Sequence, residues 1–181
     1  MLKLQTESII KSLLKTILLL VSFTAVGSLS GNTGGERTLE FFHTHTGDYL
    51  QVVYFRQGEY DTQALDQLKV FLADWRNGEQ HDIDPQLMDI LWQLQQVNGS
   101  IGTWEVISAY RSPETNRMLA SRSSGVAKKS QHLLGTAIDV RLRGTELAAL
   151  RDNAKNLKLG GVGYYAKSNF VHVDTGRVRY W

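Results

Sequence analysis

The chain has 181 residues, of which 42% are hydrophobic and 21% are charged, a balance typical of a folded globular protein. It contains no cysteine, which excludes a disulfide framework, a thiol nucleophile and a cysteine-based zinc ribbon, so any metal site must use histidines and carboxylates. The formal net charge of +2 comes from the lysines and the glutamate among the first 26 residues. The rest of the chain is neutral and lacks the excess of basic residues that nucleic-acid binding requires.

The first 27 residues have the pattern of a secretory signal peptide. Lys3, Lys11 and Lys15 precede an uncharged run over residues 17–27. Signal peptides carry apolar runs of ~7 to 15 residues, whereas ~20 are needed to cross a bilayer. An uncleaved signal anchor is the alternative, because the end of this run is only a fair cleavage site. The pattern predicts export to the periplasm by the general secretory route, with no stable membrane insertion after cleavage.

Residues 28–37 are rich in glycine and serine and predict a flexible linker, so the folded domain is expected over residues 38–181. Residues 38–43 and 49–55 predict a β-hairpin, and the glycines at 160–163 predict a tight turn. The second half of the domain predicts strands at 104–110, 136–142 and 169–175 and helices at 113–121 and 146–157. This order predicts an α+β fold in which a small antiparallel sheet packs with several helices.

Two amphipathic helices are predicted between the hairpin and the second half. Asp61 precedes the first helix, and Asp84 with Pro85 precedes the second. Apolar residues recur every three or four positions and are expected to face the core: Leu65, Leu68, Phe71, Leu72 and Trp75 in the first helix, and Leu87, Ile90, Leu91, Leu94 and Val97 in the second.

Two histidine-containing segments of the second half are candidates for chemistry. His132 precedes Asp139, with Gly135 between them to turn the chain, and Asp139 lies on the polar face of its predicted strand. His172 and Asp174 share one face of another strand. Two histidines with one or two aspartates could form a zinc site with three protein ligands and one open position, as in hydrolases. On spacing alone, surface or core histidines remain the commoner interpretation.

Three longer segments carry a family resemblance: SAYRSPETN at 108–116, GVAKKSQHLLGTAIDV at 125–140 and GGVGYYAKSNFVHVDTG at 160–176. They resemble the LAS-type zinc peptidases of peptidoglycan, which include D-Ala-D-Ala carboxypeptidases and dipeptidases, and in particular the MepK-like periplasmic murein endopeptidases. The S-x-H-x-x-G-x-A-x-D pattern is complete between Ser130 and Asp139. The resemblance covers nearly the whole mature chain and implies a hedgehog/D-Ala-D-Ala peptidase-like fold.

The resemblance also implies the roles of individual residues. One zinc ion per chain would be held by His132, Asp139 and His172. Arg111 would face the reacting carbonyl or a substrate carboxylate, where it could stabilise an oxyanion, and Ser130 would contact substrate.

Each of the supporting roles has an alternative from the residues themselves. Arg111 could form an ordinary structural salt bridge, and the Ser130 hydroxyl could bond to its own backbone in a turn. Tyr110 could line the substrate cleft or pack in the core.

The general base is the point at which the sequence departs from the superfamily. Many members place a glutamate or aspartate three residues before the final histidine ligand, and this position is Asn169, whose amide cannot accept a proton. Asp174 is the first candidate base, because it shares a strand face with His172. Its alternative role is to orient a ligand histidine. Glu114 or a carboxylate of the substrate are the further candidates.

The combined interpretation is a zinc-dependent murein endopeptidase acting on the peptide stems of peptidoglycan, at D-Ala–diaminopimelate or diaminopimelate–diaminopimelate bonds. The alternative is a non-catalytic, metal-stabilised peptidoglycan-binding module, which the missing acid at Asn169 would favour. The presence of Arg111 with both histidines and the aspartate favours the enzyme, because a binding module needs no such set around an open metal position.

Overall fold

The computed structural model describes residues 35–123 and 125–181. The predicted signal peptide at 1–27 and most of the predicted linker at 28–37 lie outside these residues. Among the described residues, no helix has the length and apolar character needed to cross a membrane.

In the part of the chain that the structure describes, eight strands form a single sheet with the order β3-β2-β1-β4-β5-β7-β6-β8. All neighbouring strands are antiparallel except the β1–β4 and β6–β8 pairs, which confirms the predicted α+β class. The predicted hairpin is present but belongs to this same sheet, which makes the sheet larger than expected. The strands are β1 Arg37–His43, β2 Tyr49–Arg56, β3 Glu59–Tyr60, β4 Trp104–Ser108, β5 Ala137–Leu142, β6 Gly161–Tyr165, β7 Phe170–Asp174 and β8 Arg179–Tyr180.

Four helices accompany the sheet within the described residues: α1 Thr62–Phe71, α2 Pro85–Val97, α3 Pro113–Arg122 and α4 Leu147–Leu157. The predicted caps are confirmed. The Asp61 carboxylate accepts from the first free main-chain N–H groups of α1, and Asp84 does the same for α2. Two predicted core positions are wrong. Trp75 lies beyond the end of α1 and is 37% exposed, and Val97 at the last turn of α2 is 52% exposed.

The core lies between the sheet and helices α1, α2 and α4. Apolar side chains of these helices and of the strands form one hydrophobic cluster. Its largest buried side chains are Trp104, Tyr54 and Phe41. Alternate residues of β5, Ile138 and Val140, join this core. Because successive side chains of a strand point to opposite faces, the residues between them face the other side of the sheet, where the candidate site lies.

The glycine-rich segment predicted as a tight turn is the start of strand β6 instead. Gly160 and Gly161 run so close to Asp174 in the neighbouring strand that a Cβ on Gly160 would overlap the Asp174 carbonyl oxygen. The glycines therefore allow two strands to approach each other closely, which is a common reason for glycine in or next to a strand.

Candidate metal centre

Three separate elements bring His132, Asp139 and His172 together. Asp139 in β5 is directly opposite His172 in the antiparallel neighbour β7. His132 lies in the short 3-10 turn Gln131–Leu134 before β5, and Gly135 ends this turn with φ +66°. A Cβ at Gly135 would overlap the Asp82 carbonyl oxygen, so glycine is required there by both backbone angle and space. The turn thus returns His132 over the polar face of β5.

The three side chains present one ligand atom each to a common point. Nε2 of His132 is 3.2 Å from Nδ1 of His172 and 3.3 Å from Oδ1 of Asp139, and Nδ1 of His172 is 2.8 Å from the same oxygen. In a tetrahedral zinc site with bonds of ~2.0 to 2.2 Å, neighbouring ligand atoms lie roughly 3.3 Å apart. The spacing of the three atoms therefore fits a small tetrahedral cation.

The hydrogen bonds of the two histidines turn a lone pair of each ring toward this point. Nδ1 of His132 is 2.6 Å from the Ala109 carbonyl oxygen, which can only accept, so this nitrogen carries the proton and Nε2 is free. Nε2 of His172 donates to Asp174 at 2.9 Å, so its Nδ1 is free. With an Asp139 oxygen as the third member, three electron-rich atoms meet in a buried place. A metal cation satisfies all three, so the residues fit the implied zinc.

The electrostatics of the cluster follow from burial and mutual contact. Burial opposes ionisation of Asp139, but the adjacent His132 and His172 outweigh it and lower the pKa of this carboxyl. Burial would likewise lower the pKa of His172, but the adjacent Asp139 and Asp174 carboxylates outweigh burial and raise this pKa. Asp139 is therefore an anionic ligand near neutral pH.

Asp174, the first candidate base, lies behind His172 and away from the cleft, and its role as the base stays a prediction. Its carboxylate is completely buried behind His172, on the side away from the cluster, and it is not among the residues that line the cleft. Arg179, His172 and two main-chain N–H groups already donate to its oxygens. Burial opposes its ionisation, yet His172 and Arg179 lower its pKa. A buried carboxylate with its acceptor sites filled holds a histidine in place and has no access to water.

A cleft of about 410 Å³ opens directly over the three candidate ligands. Its volume is within the range of ~300 to 1,000 Å³ that is usual for ligand sites. Beside the ligands, its walls combine cationic and aromatic side chains: Arg111, Lys129, Arg179, Tyr165, Phe170 and Trp181. Asp139 is the one acidic residue of this lining among the described residues, so the cleft is positively charged around its floor.

Arg111 lines this cleft and makes no ion pair within the described residues, in contrast to the structural salt bridge considered above. Its main-chain N–H donates to the His132 carbonyl oxygen at 3.1 Å, which fixes it beside a ligand. Nη1 is 3.4 Å from the Asn116 amide oxygen, and the buried Nε has no protein partner. Burial lowers the pKa of the guanidinium, which Asp139 partly offsets, but arginine stays charged in proteins.

Ser130 and Tyr110, the two predicted substrate contacts, have different positions. Ser130 lines the cleft, and its hydroxyl also accepts from the His132 main-chain N–H at 3.3 Å as the cap of the 3-10 turn. Tyr110 is 4% exposed, lies outside the cleft lining and donates its hydroxyl to Glu79 at 2.9 Å. Burial and this hydrogen bond raise the pKa of Tyr110 to about 12. The Tyr110 side chain therefore packs in the core, and its contact with substrate stays a prediction.

Asn169, at the position where an acid was expected, and Glu114, a further candidate base, both lie outside the cleft. Asn169 has φ +54° at the turn before β7, is exposed and is absent from the cleft lining. Glu114 is exposed in the first turn of α3 and is also absent from the lining.

Three of the cleft residues, Phe170, Arg179 and Trp181, received no role at the site from the sequence. Phe170 shares a face of β7 with His172, so strand periodicity could have placed it beside the site. Arg179 and Trp181 belong to or follow β8, which has two residues and therefore no periodic pattern to recognise.

An α+β fold that brings two histidines and an aspartate together at the floor of a cleft has a residue set that could hold a metal ion, as hydrolases of the metal-dependent class require. A family model described as peptidoglycan L,D-endopeptidase MepK matches residues 31–181. The peptidoglycan L,D-endopeptidase MepK of Escherichia coli (strain K12) is 41% identical over 150 residues, which are 83% of this chain and 82% of the relative. The probable peptidoglycan L,D-endopeptidase MepK of Haemophilus influenzae is 39% identical over 151 residues, 83% of this chain and 81% of the relative. The chain belongs to this MepK family of peptidases.

Proposed function

We propose that this chain is a zinc-dependent murein endopeptidase that hydrolyses L,D peptide bonds in the cross-links of peptidoglycan. The observation that carries the proposal is the meeting of three lone pairs, from His132, Asp139 and His172, at the floor of an open cleft. The names of the relatives support the L,D type of bond. Such a bond joins two diaminopimelate residues, so this cross-link is preferred over the D-Ala–diaminopimelate bond.

The residues around the cleft suit hydrolysis of an amide. Zinc, when bound, supplies a Lewis acid that activates water and polarises the scissile carbonyl. Arg111 stands beside the ligands with a buried, unpaired N–H, and it stabilises the negative charge that develops on the carbonyl oxygen. Ser130, the cap of the 3-10 turn that carries His132, lines the same cleft and contacts the substrate. The aromatic side chains of the wall exclude bulk water from the reacting groups.

The charge of the cleft suits the proposed substrate. Free carboxylates of diaminopimelate lie beside the scissile bond of the cross-link. Arg111 and Lys129 line the cleft without an ion pair among the described residues, whereas Asp139 is engaged with the histidines. The positive lining therefore favours a substrate with several carboxylates.

Two purified dimeric muropeptides test the bond type, one joined through diaminopimelate–diaminopimelate and the other through D-Ala–diaminopimelate. We expect the zinc-loaded protein to convert the first dimer to monomers and to leave the second largely intact, as followed by mass spectrometry. Preferential cleavage of the second dimer would reverse the assignment. Binding of both dimers without cleavage of either would instead favour the non-catalytic module.

Replacing Asp174 with asparagine tests its role. If the carboxylate orients His172, the variant loses zinc affinity by roughly 10- to 100-fold, and excess zinc restores kcat. If Asp174 is the base, the variant keeps its zinc and loses roughly 10² to 10⁴ in kcat. We expect the first result, because Asp174 is completely buried and fully bonded. Asp89→Asn is the matched control, since Asp89 also pairs with an arginine and accepts from tyrosines but contacts none of the candidate ligands.

We also propose that residues 1–27 direct export and that the mature domain acts in the periplasm, where peptidoglycan lies. The lysine-rich start and short apolar run support this. N-terminal sequencing of protein from the cell envelope is expected to start near residues 27–31. Recovery of Met1 would instead indicate a retained membrane anchor.

A further inference from the structure

Arg179 in strand β8 lines the cleft beside the candidate ligands and forms a two-point ion pair with Asp174. Its Nη1 is 2.9 Å from Oδ1 of Asp174, and its Nη2 is 2.7 Å from Oδ2. A bidentate pair of this kind fixes the orientation of a carboxylate as well as its charge. Arg179 therefore fixes the group that contacts the imidazole of His172.

Asp174 is the first of two groups through which Arg179 reaches His172. Oδ1 of the carboxylate also accepts from the main-chain N–H groups of Gly161 and Gly176, at 3.2 and 2.8 Å. Oδ2 has two donors within the described residues, Nη2 of Arg179 and Nε2 of His172. Loss of the guanidinium would leave a completely buried carboxylate without its countercharge and would remove one of the two donors that fix Oδ2, the oxygen that holds His172.

Trp181 is the second group. Cζ of Arg179 lies 4.9 Å from the Trp181 ring, as in a cation–π contact, and that ring is centred 5.2 Å from the His172 imidazole. A Cβ at Gly163 would come within 2.7 Å of the indole, so the ring packs directly on the backbone of β6. The indole N–H donates to the Tyr165 hydroxyl at 2.8 Å. The arginine thus covers an indole that is held against the ligand ring.

We propose that Arg179 is a positioning residue for the metal ligand His172. It holds the Asp174 carboxylate at the Nε2 edge of the imidazole and the Trp181 indole beside the ring, which keeps Nδ1 directed at the metal ion. The proposal rests on the proposed zinc site. Arg179 acts through His172 and needs no contact with the substrate, so its loss is expected to affect zinc binding in the absence of substrate.

Arg151 in α4 provides a matched control because it makes the same two kinds of contact at another place. Its Nε and Nη2 lie 2.7 and 2.8 Å from the Asp152 carboxylate, and its Cζ lies 4.5 Å from the Tyr164 ring. Neither Arg151 nor Asp152 lines the cleft or contacts a candidate ligand.

The experiment compares zinc affinity among Arg179→Gln, Arg179→Lys and Arg151→Gln. Metal-free protein competes with a colorimetric chelator for zinc, and the visible spectrum of the Co²⁺-loaded protein reports the ligand geometry. We expect Arg179→Gln to weaken zinc binding by roughly 10- to 100-fold and to alter the cobalt spectrum. Arg179→Lys keeps the charge but not the two-point geometry, so its Kd should rise by less. Arg151→Gln should match the wild type.

A wild-type Kd and cobalt spectrum in folded Arg179→Gln would overturn the proposal, even with a lower melting temperature, because that combination describes a purely structural ion pair. If Arg179→Gln does not fold, Arg179→Lys decides by the same two readouts. Failure of the wild-type protein to bind either metal would contradict the proposed function itself. The two failures are therefore distinguishable.

Discussion

His132→Ala is expected to abolish hydrolysis of cross-linked peptidoglycan and to leave the fold largely intact. The imidazole supplies one of three ligand atoms, and its removal leaves two, which cannot hold a catalytic zinc at ordinary metal concentrations. The effect should exceed the roughly 10- to 100-fold loss seen when a residue that merely orients a ligand is removed. The fold should persist because His132 lies on the polar side of the sheet, away from the hydrophobic core. On one preparation, metal analysis checks the loss of zinc, circular dichroism checks the intact fold, and product release checks the loss of hydrolysis.

His81→Ala is the control for this variant. His81 is exposed, stacks on Tyr110 and lies outside the cleft, so its loss should change neither metal content nor rate. Full zinc occupancy in His132→Ala would contradict the assignment of the ligands. Full activity in a zinc-free His132→Ala preparation would contradict metal-dependent hydrolysis.

Arg111→Met is expected to lower kcat by about 10² to 10³ with unchanged zinc content, since this is the usual effect of removing one donor to a developing oxyanion. The arginine lines the cleft and makes no ion pair among the described residues, so its guanidinium is available to the substrate. If Arg111 binds only a substrate carboxylate, KM should rise while kcat is unchanged. Steady-state kinetics with a defined muropeptide dimer distinguishes stabilisation of the oxyanion from binding of a substrate carboxylate.

Arg117→Met serves as the control, because Arg117 is an exposed arginine on the adjacent helix α3 and lies outside the cleft. It removes the same charge from the same region and should leave both kcat and KM unchanged. A fall in kcat of similar size in both variants would show that general surface charge, and not Arg111 itself, governs the rate.

The elements that carry the site were largely predictable because they have strong local patterns. Alternating apolar residues indicated β5 and β7, and Gly135 indicated the turn before β5, so the polar faces of Asp139 and His172 followed from strand periodicity. Their direct pairing across two strands depends on register, which no local pattern specifies.

The role of Asp174 shows where strand periodicity is insufficient. Strand periodicity correctly placed Asp174 on the face of His172. It does not specify which of the two imidazole nitrogens faces Asp174 and which faces the cluster. Nδ1 faces the cluster and Nε2 faces Asp174, so a residue on the same face lies behind the ligand and not over the cleft. Which nitrogen points where is decided by the surrounding fold.

Tyr110 illustrates the effect of a strand irregularity. The predicted strand ran through Tyr110, but the β4–β5 pairing shifts register between Val106 and Ser108 and the strand ends there. The main-chain N–H of Tyr110 then bonds to Leu72, just after α1, and the side chain enters the core. Such a bulge changes the direction of every later side chain and has no reliable sequence signal.

The most direct test of the central claim follows one preparation of sacculi with metal-free protein before and after the addition of one equivalent of zinc. Mass spectrometry of the soluble products measures cross-link cleavage. We expect no release by the metal-free protein and release of uncross-linked muropeptides once the zinc is added, because hydrolysis requires the zinc site that we propose at His132, Asp139 and His172, which could hold a metal ion. Equal release by the protein in the presence of a chelator would contradict it.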